Sequence, residues 1–357
     1  MPLASFQDNL AWAAARLEAT EPLKVTSELT NLTELHVVPR LFANNKKLLT
    51  NNIDRYSELA DIEDFTGNTA FVGLDHVNQA SISNQLKKIL IDLKYLQTSW
   101  AIDDREEDVD TRRKLLNLQK QRRLKAMIAQ MEAIEAAFFQ LPENTLSPVS
   151  LPYYVVHNSG SAQAFSGQNP TGFNDVAGLD TSLPENARYR NWSDNYNQRN
   201  PEDLFEKMAI AAQETNFVAP ATDDQQRDLT GKQNIYTTKH NEILMRRVIR
   251  DQNDNLGFDV GYEQNGRATF QMQPIIAIPA LTSPTSRTTM ANADLPTHPV
   301  YMIQHASFFP VVSRKYWMKI TGPIRLENQH HRYAFHMESY YSIFCRSRRR
   351  QAVLGYV

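Results

Sequence analysis

The densest run of chemically capable side chains is NQHHRYAFHMESYYSIFCRSRRRQAVLGYV, residues 328–357. It holds His330, His331 and His336 of the chain's nine histidines, its single cysteine, Cys345, and Arg346, Arg348, Arg349 and Arg350. Such a set could bind a metal, arm a nucleophile or grip phosphate. Spacing removes the metal. In an extended strand His330 and His336 share a face but stand roughly 20 Å apart at about 3.3 Å per residue, and His330 and His331 point to opposite sides. In a helix the intervals are five and six, never the i, i+4 pair of a chelating helix. What fits is alternation: Tyr333, Phe335, Met337, Tyr341, Ile343 and Cys345 fall on one side, and Ala334, His336, Glu338, Ser342 and Arg346 on the other. The spacing predicts a long, half-buried β-strand. Cys345 then lies on its apolar face as a small hydrophobe without a neighbouring base.

The rest of the chain offers no catalytic, cofactor-binding or metal motif. G-x-S-x-G, H-E-x-x-H, paired C-x-x-C, G-x-G-x-x-G and the Walker loop are all missing. The acidic run DDREEDVD, 103–110, lacks the glycine and spacing of a calcium loop. The chain has 357 residues and a net charge of −2, so any contact with nucleic acid must be local. One cysteine allows no internal disulfide. No apolar run approaches the length of a membrane span, the best being PIIAIPAL at 274–281. The N-terminus carries Asp8 and no basic region, unlike a secretory signal, and synthesis in a cytoplasm is expected. Mean hydropathy is −0.50, yet there are 16 Phe, 14 Tyr and 4 Trp. That combination suits a subunit burying surface against copies of itself.

The elements that must position these residues follow from periodicity. Residues 1–60 read as an arm with a short helix at 8–20. A hairpin is expected from TAFVGLDHV, 69–77, into KKILIDLKYLQTSWAI, 87–102, the second half forming one strand of about 14 residues and roughly 45 Å. Ile89, Ile91, Leu93 and Tyr95 would line a subunit contact, because such a hairpin projects from its own subunit. A helix of about 30 residues covers 110–140, its stripe Leu116, Leu124, Ile128, Met131, Ile134 and Phe138, its first half basic through Arg112, Arg113, Arg122, Arg123 and Lys125. LPYYVVHNS, 151–159, reads as a strand. Helices fit 201–217, opened by Pro201, and 237–253, where Ile243, Leu244 and Val248 share a face. Strands fit 299–312 and 332–346, and Arg346, Arg348, Arg349 and Arg350 form a connection expected at a subunit contact.

In this order, three stretches carry a resemblance: ILIDLKYLQTSWAIDDREEDVDTRRKLLNLQKQRRLKAMIAQMEAIEAAFF; NIYTTKHNEILMRRVIRDQNDNLGFDVGYEQNGRATFQMQPIIAIPAL; and HPVYMIQHASFFPVV with HHRYAFHMESYYSIFCRSRRRQAVLGYV. Their arrangement resembles the major capsid proteins of tailed double-stranded DNA bacteriophages, of the Hong Kong 97-like fold. The resemblance implies an α+β chain: an N-terminal arm (1–60), an extended β-hairpin loop (61–104), a peripheral domain with a spine helix at about 110–140 (105–190), an axial α/β domain (191–300) and a return to the peripheral domain (301–357). It implies a non-enzymatic subunit without cofactors, forming hexamers and pentamers of an icosahedral virion head in a bacterial host. Its partners would be itself, packaged double-stranded DNA, a portal, and cement or scaffolding proteins, with no membrane. By the same resemblance Arg112, Arg113, Arg122, Arg123 and Lys125 would face the DNA. Two alternatives stay open: an encapsulin-like compartment subunit of the same fold, and a cytoplasmic hydrolase using His298, His305 and His336.

Overall fold

A computed structural model describes residues 37–42, 47–61, 86–103, 112–160, 163–197, 201–215, 233–253, 261–264, 267–271, 273–282, 296–325 and 331–356. The sequence expectations for a helix at 8–20 and a strand at 69–77 lie outside these residues. Six helices are described: α1 (Val38–Leu41), α2 (Arg112–Phe139), α3 (Leu151–Tyr154), α4 (Pro201–Glu214), α5 (Lys239–Asn253) and α6 (Pro279–Thr282). The strands are β1 (Leu48–Thr50), β2 (Arg55–Asp61), β3 (Leu86–Asp92), β4 (Lys94–Asp103), β5 (Ala164–Gly167), β6 (Asn191–Tyr196), β7 (Gln233–Thr237), β8 (Gly261–Gln264), β9 (Arg267–Phe270), β10 (Gln273–Ala277), β11 (Thr297–Gln304), β12 (Phe308–Ser313), β13 (Lys319–Arg325), β14 (Arg332–Cys345) and β15 (Ala352–Tyr356). They fall into two compact units, one made of Met1–Asp54, Leu93–Ala137 and Pro310–Ser342, the other of Arg55–Asp92, Phe138–Phe309 and Ile343–Val357.

The first unit is organised by β14. Its alternation is realised over 335–341, where Phe335, Met337 and Tyr341 are buried while His336, Glu338 and Tyr340 are half-exposed; Ala334 and Ser342, expected on the polar side, are buried, and from Tyr341 to Cys345 the strand is covered on both faces. β14 pairs antiparallel with β4 over ten positions, Arg332↔Asp103 to Tyr341↔Lys94, and with β13 from Lys319↔Glu338 to Arg325↔Tyr333. Trp100 stacks on Phe335, ring centroids 5.6 Å apart, beside buried Ile102 and Tyr333. β13 is an edge strand carrying Lys319, Pro323 and Arg325, residues that discourage further strand pairing. On α2, Ile128 and Ile134 are buried and Leu124 and Met131 half-buried. The arm is fixed to this helix by one buried carboxylate: Glu135 accepts the backbone N–H of Val37 at 3.0 Å and of Val38 at 2.9 Å.

The second unit is built on an eight-stranded mixed sheet ordered β5-β6-β15-β11-β7-β10-β9-β8. One core cluster contains Trp192, Leu204, Met208, Ile235, Val248, Ile275, Met302 and Leu354. The opposite side of β7 carries Tyr236, whose ring meets Phe138, Phe139 and His305 edge-on. Central strands buried on both faces need continuous apolar sequence, which YMI at 301–303 and AVL at 352–354 supply. The same unit holds the β2–β3 ladder, Arg55↔Asp92 to Asp61↔Leu86.

Four sequence expectations are corrected. The 87–102 segment is extended rather than helical, but it is not one strand: it breaks at Leu93, where β3 and β4 join different sheets, and the partner of β3 is 55–61. Residues 151–154 form a short helix, not a strand, because Pro152 suits a first helical turn, where its missing N–H is no loss. In α5 the buried face is Asn241, Met245, Val248 and Ile249, with Ile243 67% exposed, so Ile243 is not part of that face. The 299–312 strand is two strands, β11 and β12, separated by a turn in which Ser307 N–H reaches the Gln304 carbonyl.

Candidate functional site

The arginine connection after β14 is resolved residue by residue, and its members do different things. The last turn of β14 is held by two tyrosine hydroxyls: Tyr154 donates to the Ile343 carbonyl at 3.1 Å and Tyr189 to the Cys345 carbonyl at 2.6 Å. The chain then makes a one-turn 3-10 helix, Arg348–Arg350, and enters β15.

Arg348 is fully buried. Its Nε donates to the Tyr154 carbonyl, Nη2 to the carbonyls of Gly167 (3.1 Å) and Gln168 (2.9 Å) and to Asn191 Oδ1 (3.0 Å), and Nη1 to Thr181 Oγ1 (3.4 Å). The Tyr189 ring lies 5.6 Å away. Every one of these acceptors is neutral. Burial lowers the guanidinium pKa from its ordinary value, yet arginine stays protonated in proteins. The planar five-donor fork thus ties together four chain segments that a shorter donor could not reach at once. Asn191 is held in turn, donating to Val156 and Trp192 carbonyls at 2.9 and 3.0 Å. Position 167 must be glycine, because a Cβ there would stand 2.0 Å from Asn191 Oδ1.

Arg346 faces solvent and forms a two-pronged pair with Glu58 of β2, Nε to Oε2 at 2.7 Å and Nη2 to Oε1 at 2.9 Å. Tyr56 also donates to Glu58. The Arg346 hydrogen bond holds the Glu58 carboxyl below its usual pKa. The pair ties the β2–β3 ladder to the end of β14, and Lys87 of β3 adds a bond to Asn186 Oδ1 at 2.8 Å. Arg349 lies 4.0 Å over the Phe165 ring; it is exposed and Arg350 half-exposed.

These positions divide the expected subunit contacts. Ile89, Ile91 and Leu93 are buried inside this chain, as is Arg348, so none of the four is a surface residue. The reason is local: β3 already has its partner in β2, and Arg348 has filled its donors internally. Tyr95, Arg346, Arg349 and Arg350 remain at the surface. Tyr95 donates to Glu338 at 3.2 Å, and burial, with the Glu338 charge, pushes its hydroxyl up to about 12. Among the basic residues of α2, Arg122 is half-buried and donates to the Ala101 carbonyl at 2.7 Å, Arg123 is half-buried and Lys125 is exposed. The side chains of Arg112 and Arg113 lie outside the described residues.

The three candidate histidines are divided between the two units, and His298 stacks on His240 with ring centroids 4.7 Å apart. His336 belongs to the first unit, 2.8 Å from Gln97. His298 and His305 flank opposite ends of β11 in the second. His305 is buried between the Tyr236 hydroxyl, 2.7 Å from Nε2, and the Phe308 carbonyl, 3.3 Å from Nδ1. Burial pushes the Cys345 thiol up to about 12, far from a thiolate. Among the described residues no His, Cys, Asp and Glu cluster is placed to hold a metal, and no helix is long and apolar enough to cross a membrane.

Sequence reasoning passes over 314–319, RKYWMK, because it falls between strands. Lys315 and Lys319 both lie over the Tyr316 ring, at 5.2 and 5.0 Å, and Lys47 over Trp317 at 5.3 Å. The interleaving of cations with aromatics was the signal available.

No family model and no curated protein matches the chain. Solved structures do. The capsid asymmetric unit of cyanophage A-1(L) superposes with a TM-score of 0.60 at 11% identity, covering 95% of this chain and 97% of that one. The fold is that of a phage capsid protein. The same capsid fold is found in an empty GTA particle, with a TM-score of 0.51 at 9% identity over 94% of this chain and 99% of that chain. Within this fold the arginine connection has one residue that locks the interior, Arg348, and neighbours that face outward.

Proposed function

We propose that the chain is a major capsid protein, assembling into the hexamers and pentamers of an icosahedral phage head around double-stranded DNA. The observation that carries this reading is the end-to-end match to the cyanophage capsid chain, 95% of one against 97% of the other. Interior chemistry supports it. The buried titratable groups of the described residues serve packing: Cys345 is an apolar filler, His305 a hydrogen-bond link, Arg348 a hub. In this role the protein is a structural subunit of the virion rather than an enzyme, and its other partners are a portal and cement or scaffolding proteins. The exposed Lys125 and its basic neighbours on α2, Arg112, Arg113, Arg122 and Arg123, would offset phosphate charge without reading bases.

The test is electron microscopy of the purified full chain with sedimentation on the same sample. Closed shells or ring-shaped capsomers are expected. A compact monomer or dimer at every concentration and salt would overturn the reading, and shells filled with protein cargo rather than DNA would overturn its genome-packaging part.

A further inference from the structure

We propose that the surface formed by Arg314, Lys315, Tyr316 and Lys319, with Lys47 and Trp317, binds the phosphate backbone of nucleic acid. It is a site separate from the basic half of α2, and it rests on the proposed function only in making DNA the natural occupant.

The first observation is a local excess of positive charge. Residues 295–326 contain no Asp or Glu in a chain that has 40, while carrying Arg314, Lys315, Lys319 and Arg325. Arg314, Lys315 and Lys319 are exposed, and none forms an ion pair within 4 Å among the described residues; Glu338, opposite Lys319 in the β13–β14 ladder, accepts the Tyr95 hydroxyl instead. Elsewhere the pattern differs: Arg346 is neutralised by Glu58, and Arg332 lies 3.8 Å from Asp103. A chain of net charge −2 thus keeps one segment locally positive.

The second observation is positioning. Both lysine ammoniums sit over one ring, so they lie no more than about 10 Å apart, and Tyr316 holds both long side chains near the surface. The ring is fixed by its own backbone, since the Tyr316 carbonyl accepts the Tyr340 N–H at 3.0 Å, and by contact with the Tyr340 ring at 5.6 Å. Two compact point charges within about 10 Å of each other can meet neighbouring phosphates, which recur about every 3.4 Å of rise along each strand of a duplex. Because both ammoniums already lie over the ring, the contact is to backbone rather than to stacked bases.

The experiment is fluorescence anisotropy of the unassembled full chain with a labelled duplex DNA of mixed sequence, titrated across salt. Three proteins are compared: the unmodified chain, Lys315→Gln with Lys319→Gln, and Tyr316→Leu. Losing two phosphate contacts should flatten the log K against log salt slope by about 1.8 and weaken binding roughly tenfold or more near 0.1 M salt. Tyr316→Leu keeps the charges and should weaken binding less, with the slope retained. An unmodified chain that does not bind the duplex, or a double variant with unchanged affinity and slope, overturns the proposal. So does a double variant that binds DNA normally but fails to assemble, which would give the surface to an acidic segment of a second copy. Melting curves confirm that the variants fold. Failure of the shell reading is recorded separately by microscopy, because the binding measurement needs no particle.

Discussion

Two arginine- and lysine-bearing segments of this chain put positive charge to opposite uses. At 346–350 the cation that matters most, Arg348, is sealed in the interior and spends all its donors on neutral acceptors of its own chain. At 314–319 the cations stay exposed and rest on an aromatic ring without a carboxylate partner. Charge that is desolvated must be satisfied locally, and then it specifies one arrangement of the segments around it. Charge left in water contributes little to the fold and stays available to something outside it.

The comparison breaks first at Arg348. Arg348→Met fills the volume but takes the guanidinium donor from the carbonyls of Tyr154, Gly167 and Gln168, while the Asn191 amide oxygen keeps the Val156 N–H at 3.0 Å. Each unsatisfied buried acceptor costs about 1–3 kcal/mol. With partial rearrangement the expected loss is about 3–5 kcal/mol, read as a lower denaturant midpoint. Arg348→Lys should recover only part of it, since an ammonium cannot serve the same fork of acceptors. A near-neutral Arg348→Met would mean that the interior tolerates the unsatisfied acceptors and that the charge is not the organiser.

Much of this division escapes a reading of the sequence, and the reasons are physical. Period-two alternation made β14 legible, because a strand with one buried face must alternate. The long helix α2 was legible from its stripe and length. What alternation does not encode is the partner: nothing in KKILIDLKYL says that Leu93 is where the chain changes sheets, since that depends on 55–61 being available to pair with β3. RSRRR likewise reads as four similar residues. Which one points inward is set by the acceptors gathered around Arg348, and these come from positions 154, 167, 168, 181 and 191. Glycine 167 shows the same limit, being demanded by a side chain 24 residues downstream.

A smaller effect sharpens the contrast at Arg346, which stands between the two extremes. It is more than half exposed but bound to Glu58 through two hydrogen bonds. Exposed pairs contribute about 0.2–1 kcal/mol, and the two-pronged geometry places this one near the top of that range. Glu58→Gln should therefore cost about 0.5–1 kcal/mol near pH 7. The sign with pH follows from the lowered Glu58 pKa in the folded chain. Its contribution is present above the unfolded carboxyl pKa of about 4.3 and lost as pH falls through the depressed folded value. Melting profiles of the unmodified chain and the variant should differ at neutral pH and converge in acid. A gap that widens in acid would mean that the carboxylate is not held by Arg346.

The smallest effect is expected where the charge is exposed. Each lysine gains about 0.5–1 kcal/mol over the Tyr316 ring, while two ammoniums no more than about 10 Å apart repel by at least about 0.4 kcal/mol in water. Removing either lysine forfeits the first term and relieves the second, so Lys315→Gln and Lys319→Gln should each be close to neutral for stability. Removing both relieves the repulsion only once. The double variant should therefore be destabilised by at least about 0.4 kcal/mol more than the sum of the singles. The excess should be clearest at low ionic strength and vanish near 1 M salt, where the screening length falls to about 3 Å. Strictly additive singles at low salt would place the ammoniums apart in solution, and would remove the positioning that makes 314–319 different from any other pair of surface lysines.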